Sequence, residues 1–138
     1  MCGIAGICNW KNNWEKNINK MNERMRHRGP DASGIWASEN KDVVMGHRRL
    51  SIVDLSENGS QPMQSHSGRY VIAFNGEIYN YRTLAKSLMK ENKVSGFRGN
   101  SDTEVLLEAM EHYGVKNAIQ RCKAVSYTHL DVYKRQGL

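Results

Sequence analysis

Residues 1–8 read MCGIAGIC, and this octapeptide sets the first element of the fold. From Cys2 to Cys8 it is an apolar run whose Gly3, Ala5 and Gly6 are small enough to let another layer approach, the pattern of a short buried strand. It has no basic flank, and charged residues follow from Lys11 onward, so it is neither a secretory signal nor a membrane span. A strand therefore opens the domain, with Cys2 at its first position.

Outward from that strand the periodicity changes. Trp14, Ile18, Met21 and Met25 recur at steps of four, three and four, which places them on one core-facing stripe of a helix that should stop near Gly29 and Pro30. Residues 34–38 and 42–50 read as two strands joined by a polar turn at Glu39 to Lys41, and Ser56 to Ser67, holding Pro62, reads as loop. Tyr70 to Phe74 is β-rich and runs into Asn75-Gly76, a pair that favours a tight turn with positive φ. A helix is expected from about Tyr81 to Glu91. Ser101 and Glu104 form a capping box ahead of Val105, Leu106, Ala109, Met110 and Tyr113, and Gly114 ends that pattern. Strand, helix, several strands, helix, helix is the order of an α+β layered domain.

At 138 residues the chain accommodates one domain, and 39% apolar with 25% charged residues permits a modest core. The net charge of +6 is spread along the chain, and its densest stretch, Arg24 to Arg28, has no aromatic stacking platform beside it. That stretch reads as a solvated helix end, with no nucleic-acid partner. Three cysteines, at 2, 8 and 122, have neither disulfide-scaffold nor metal spacing, and a reducing cytoplasm is the expected compartment.

If Met1 is removed, which its small neighbour favours, Cys2 carries a thiol and a free α-amine together, so that nucleophile and base sit in one residue. An α-amine with a pKa of about 8 is suited to taking the thiol proton near neutrality. Free cysteines are also among the most buried residues, so composition alone leaves Cys2 open between nucleophile and small core residue. Asn75 and Gly76 could aim a side-chain amide and a backbone N–H at one oxygen, as an oxyanion hole requires, or could be a plain hairpin turn. Arg49 and Asp102 could grip the carboxylate and ammonium of an amino acid, or each could be structural. None of the five histidines has a ligand-like or triad-like partner in sequence; they read as surface or loop residues, with no metal site.

Read together, these segments resemble the class II glutamine amidotransferases. The blocks are MCGIAGI at 1–7, RHRGPDASGIW at 26–36, GHRRLSIVDLS at 46–56, QPM at 61–63, FNGEIYNYRTL at 74–84 and SDTEVLLEA at 101–109, in the family's order and approximate spacing. Within that class RGPD, RLSIVDLS and NGEIYN are similar to glutamine-hydrolysing asparagine synthetase. The resemblance implies an N-terminal-nucleophile αββα sandwich, two antiparallel sheets between helical layers, incomplete at its C-terminus. It implies Cys2 as nucleophile with its freed amine as base, and Asn75 and Gly76 as the oxyanion hole. Arg49 and Asp102 would hold the carboxylate and ammonium of L-glutamine, with Leu50, Ser51, Ile52, Val53 and Glu77 lining the same pocket. Ammonia would pass to a synthetase domain in cis, where ATP and magnesium serve aspartate amidation; no cofactor is expected in these residues. The resemblance also allows a homodimer of the full-length enzyme.

The family pattern runs through residues 1–123, a partial glutaminase domain, and 124–138 departs from it: AVSYTHLDVYKRQGL resembles a translated adapter. A fragment that lacks strands of both sheets is expected to be marginally stable. The alternative function is a non-catalytic remnant that binds glutamine or a partner without turnover. Cys2, Asn75, Gly76 and Asp102 together argue against that alternative.

Overall fold

A computed structural model describes residues 2–10, 12–51 and 56–124. The predicted first strand is β1 (Gly3–Cys8), followed by α1 (Trp14–Arg24), β2 (Ala32–Ala37) and β3 (Val43–Arg49). These strands form one antiparallel sheet in the order β1–β3–β2, with Gly3 opposite Arg48 and Gly34 opposite His47. The turn between β2 and β3 is closed by Ser38 and Val43, and Lys41 takes a φ of 59° within it.

One face of this sheet is covered by α1. Ile7, Ile18 and Val44 form its buried centre, with Ala5, Trp14 and Ala37 packed around them. Gly46 is required there, because a Cβ would meet Asn22 and Ile18 of the helix. Burying side chains such as Ile18 and Val44 contributes about 1.5–3 kcal/mol each. The predicted apolar stripe is corrected at one position: Met21 is 37% exposed, and Asn22 occupies the inward place. Asn22 is tolerated because its Nδ2 donates to Ser33 Oγ at 3.2 Å and to the Gly34 carbonyl at 3.1 Å. The helix ends at Arg24, before the predicted Gly29 stop, and continues as turns through Arg28, whose amide donates to Met25 O.

The segment 56–67, expected to be loop, contains a 3-10 turn (Glu57–Gly59) and β4 (Met63–Gln64). β4 pairs with β5 (Val71–Ile72) in a second antiparallel sheet. β5 falls inside the β-rich stretch Tyr70 to Phe74, whereas a two-residue strand such as β4 carries no readable alternation. The hairpin turns at Gly68, with φ of 77°. Asn75 and Gly76 are not among the described residues with positive φ, so the tight-turn reading of that pair is corrected. Their strand has already ended at Ile72, and the chain runs on instead to a bridge between Ile78 and Ala124.

The second helical layer comprises α2 (Tyr81–Lys90), α3 (Asp102–Tyr113) and α4 (Val115–Arg121). Leu84, Leu88, Val94, Val105, Ala109 and Ala118 pack between them. α4 is an addition to the expected order: Gly114, with φ of 78°, turns the chain and a new helix begins at once. The described residues thus form an α+β arrangement of two antiparallel sheets and four α-helices, consistent with the N-terminal-nucleophile sandwich. Among them no helix is long and apolar enough to cross a membrane.

Candidate active site

Cys2 lies just before β1, alongside Leu50, which follows β3. Its Sγ accepts the Leu50 amide hydrogen at 3.4 Å and lies 3.8 Å from the Leu50 carbonyl. The Cys2 carbonyl accepts from Arg28 Nε at 3.3 Å, so the residue is held from both its backbone and its sulfur. Alternation along β1 puts Cys2 on the face shared by Ile4, and hence by His47 and Arg49 of β3. This is the face opposite α1.

Arg49 is buried on that face, with Nη1 donating to the Ser56 carbonyl at 2.7 Å and the guanidinium packed on Gly59, where a Cβ would collide with it. Asp31 N donates to the Arg49 carbonyl at 3.0 Å, and Asp31 Oδ2 accepts from Ser51 N at 2.7 Å, so the strand exit that carries Leu50 and Ser51 is pinned. Ile52 and Val53 lie outside the described residues.

Asn75, Gly76 and Glu77 lie together between β5 and α2, Asn75 half-buried and the other two exposed. The end of this segment is tied to Asp102, whose Oδ2 accepts from Ile78 N at 2.9 Å. Its start is tied to Gln61, whose Oε1 accepts from Phe74 N at 2.6 Å. The structure therefore groups the predicted residues in two sets: Cys2, Arg49, Leu50 and Ser51 at the sheet end, and Asn75, Gly76 and Glu77 with Asp102 at the α3 N-terminus. His47 stands between them, on the Arg49 face of β3 with the Phe74 backbone against its ring.

His47 departs from the surface-or-loop expectation. It is 1% exposed, and neither ring nitrogen has a hydrogen-bond partner. Burial holds its pKa below the usual 6.5; the Phe74 backbone favours the charged ring and opposes this, while the Arg49 charge adds to it. His66 is exposed in a turn, as expected, and its Nε2 lies 3.0 Å from Glu104 Oε1.

Glu104 is a second correction. Ser101 does cap α3, its Oγ accepting from Thr103 N at 3.2 Å, but the return leg of a capping box is not among the hydrogen bonds of the described residues. The fully buried Glu104 carboxylate instead takes the amides of Arg98 and Gly99 at 2.8 and 3.0 Å, with Arg98 Nε at 3.1 Å. Burial raises its pKa, and these donors together with His66 outweigh that and hold it below 4.5. It thereby orders the loop that leads into Asp102.

Gln61 and Asp31 are tied to these segments by the hydrogen bonds above, and neither carries a composition or periodicity signal. Only the QPM block points at Gln61, within a stretch that reads as loop. Of the other cysteines, Cys8 is exposed, and burial pushes the Cys122 thiol above its usual range. Among the described residues no group of three or more His, Cys, Asp or Glu converges as a metal site.

The chain is similar to known proteins over most of its length. Asparagine synthetase (glutamine-hydrolysing) 1 of Bacillus subtilis (strain 168) is 45% identical over 118 residues, covering 82% of this chain and 18% of the relative. The amidase chry2 of Gibberella zeae is 46% identical over 89 residues, 64% of this chain and 13% of its own length. Asparagine synthetase B (glutamine-hydrolysing) of Escherichia coli (strain K12) is 38% identical over 117 residues, 83% of this chain and 20% of that protein. The chain thus spans about a fifth or less of the length of these curated relatives. The family model described as "glutamine amidotransferase domain" matches residues 1–134, and the chain belongs to that family.

Proposed function

We propose that this domain hydrolyses L-glutamine to glutamate and ammonia with Cys2 as the nucleophile. The observation that carries the reading is the placement of Cys2: its sulfur is held by the Leu50 amide on the face that also carries Arg49. With Met1 removed, the α-amine of Cys2 takes the thiol proton as Sγ attacks the carboxamide carbon. The tetrahedral oxyanion is met by the Asn75 side chain and the Gly76 N–H, which contribute most where charge develops. The proton passes to the departing nitrogen, ammonia leaves, and water attacks the thioester to release glutamate and restore the thiol.

Arg49 and Asp102 bind the two charged ends of the amino acid, and Leu50 to Val53 with Glu77 line the pocket. In the intact protein the ammonia serves ATP-dependent asparagine synthesis from aspartate in a synthetase domain in cis, in the cytoplasm. ATP and magnesium belong to that domain, and no step here passes through them. A homodimer of the intact enzyme is compatible with this reading.

Glutamate release from glutamine by the intact protein tests the mechanism. It should disappear in Cys2→Ala and in a variant that retains Met1, and a glutamine-analogue adduct should map to Cys2 by mass spectrometry. Full activity in either variant, an adduct at Cys8 or Cys122, or glutamine binding without ammonia release would overturn it.

A further inference from the structure

Both ends of the five-residue stretch Phe74–Ile78 are tied by side chains to the first turn of α3. Phe74 N donates to Gln61 Oε1 at 2.6 Å, Gln61 Nε2 donates to Thr103 Oγ1 at 3.2 Å, and Thr103 Oγ1 donates to Asp102 Oδ1 at 3.4 Å. The other oxygen of the same carboxylate accepts from Ile78 N at 2.9 Å. Gln61, Asp102 and Thr103 are all buried, at 9%, 6% and 3% exposure. The ring of bonds encloses Asn75, Gly76 and Glu77.

The direction of this ring is not arbitrary. An amide N–H can only donate, and a carboxylate can only accept. The single Thr103 proton is directed at Asp102, so Thr103 must accept from its other neighbour, and Gln61 must present its amino group to Thr103 and its oxygen to Phe74. Glutamine is the side chain that supplies one donor and one acceptor at this length. Its backbone is seated as well: a Cβ on Gly34 of β2 would collide with the Gln61 carbonyl oxygen.

We propose that Gln61 is a positioning residue for glutamine hydrolysis, aligning the Asn75–Gly76 donors by fixing the Phe74 amide from the α3 N-terminus through Thr103. The inference rests on the function proposed above. It assigns Gln61 no contact with substrate. Asp102 then has two roles: the carboxylate that meets the substrate ammonium also sets, through Thr103 and Gln61, where the oxyanion donors stand.

The test compares two reactions of Cys2 in the intact protein. Thioester formation from glutamine builds an oxyanion, whereas alkylation of the thiol by iodoacetamide is a displacement at saturated carbon and builds none. In Gln61→Met and in Thr103→Val, kcat for glutamine hydrolysis should fall by about 10-fold or more, since loss of an oxyanion donor itself costs about 10²–10³-fold. KM and the alkylation rate of Cys2 should stay within a small factor of wild type. Thr103→Ser, which keeps the hydroxyl, should restore kcat.

An unchanged kcat in Gln61→Met would overturn the proposal. A parallel loss of alkylation and hydrolysis would also overturn it, because Gln61 would then be supporting the fold at large. Cys2→Ala serves as the control: hydrolysis that survived it would remove the proposed function itself, a result distinct from either outcome at Gln61.

Discussion

The Asp102 carboxylate accepts the amide hydrogen of Ile78 at 2.9 Å, joining the first residue of α3 to the end of the Asn75–Glu77 segment. A buried carboxylate in the first turn is favoured by the helix dipole and by such a donor. Asp102→Asn keeps an acceptor for Ile78 but turns an amino group toward Thr103 and removes the charge that would meet a substrate ammonium. KM for glutamine should therefore rise by about tenfold or more, the loss of a charge-assisted bond of about 1.5–3 kcal/mol, and kcat should fall as well because Thr103 loses its acceptor in the ring. Asp102→Ala should in addition lose about 1–3 kcal/mol of stability, from the stranded Ile78 amide. Equal KM values for wild type and Asp102→Asn would exclude Asp102 from substrate binding.

Arg49 supports a separate expectation. Its guanidinium donates to the Ser56 carbonyl and lies against Gly59, so a lysine preserves the charge but not the fork. Arg49→Lys should raise KM for glutamine about tenfold or more while Cys2 keeps its reactivity toward iodoacetamide. Steady-state kinetics and an alkylation time course measure the two effects separately.

The response to acid should come in two stages. The folded His47 pKa lies below 6.5, so as pH drops under 6.5 the unfolded chain takes up a proton that the native state refuses, and stability falls. The folded Glu104 pKa lies below 4.5, so the stability it supplies is complete above 4.5 and is lost as pH falls through the depressed value. Chemical-denaturation midpoints measured against pH should show both declines. His47→Phe should abolish the upper one and Glu104→Gln the lower; a variant that kept its stage would locate that proton elsewhere.

Two glycines offer a contrast in packing. Gly34 faces the Gln61 carbonyl with no room for a methyl group, whereas Gly96 has open space around it. Gly34→Ala should cost about 1–3 kcal/mol by forcing backbone apart, and Gly96→Ala should stay within about 0.5 kcal/mol of wild type. Thermal unfolding of the two variants decides the matter. A larger loss at Gly96 would contradict the packing described.

Much of the framework is legible in the amino-acid sequence. The apolar run Cys2–Cys8, the strands on either side of Glu39–Lys41 and the helices starting at Tyr81 and Asp102 all sit close to where periodicity and capping place them. Each of these signals is local, because a strand or helix face repeats within a few residues. β5 lies within the β-rich stretch Tyr70 to Phe74, but β4 and α4 escape such a reading because they are short and because Gly114, which stops α3 as expected, also starts a new helix.

The residue types that carry the proposed chemistry are likewise in the sequence: Cys2 at the start of the first strand, an Asn-Gly pair and an acidic residue at a helix start. Tertiary structure alone decided their supports. His47 and Glu104 became buried, Gln61 and Thr103 became the link between Phe74 and Asp102, and Asn22 displaced Met21 from the core. No local pattern encodes such choices, since the partner of a buried polar group lies tens of residues away and only the packed chain can satisfy it.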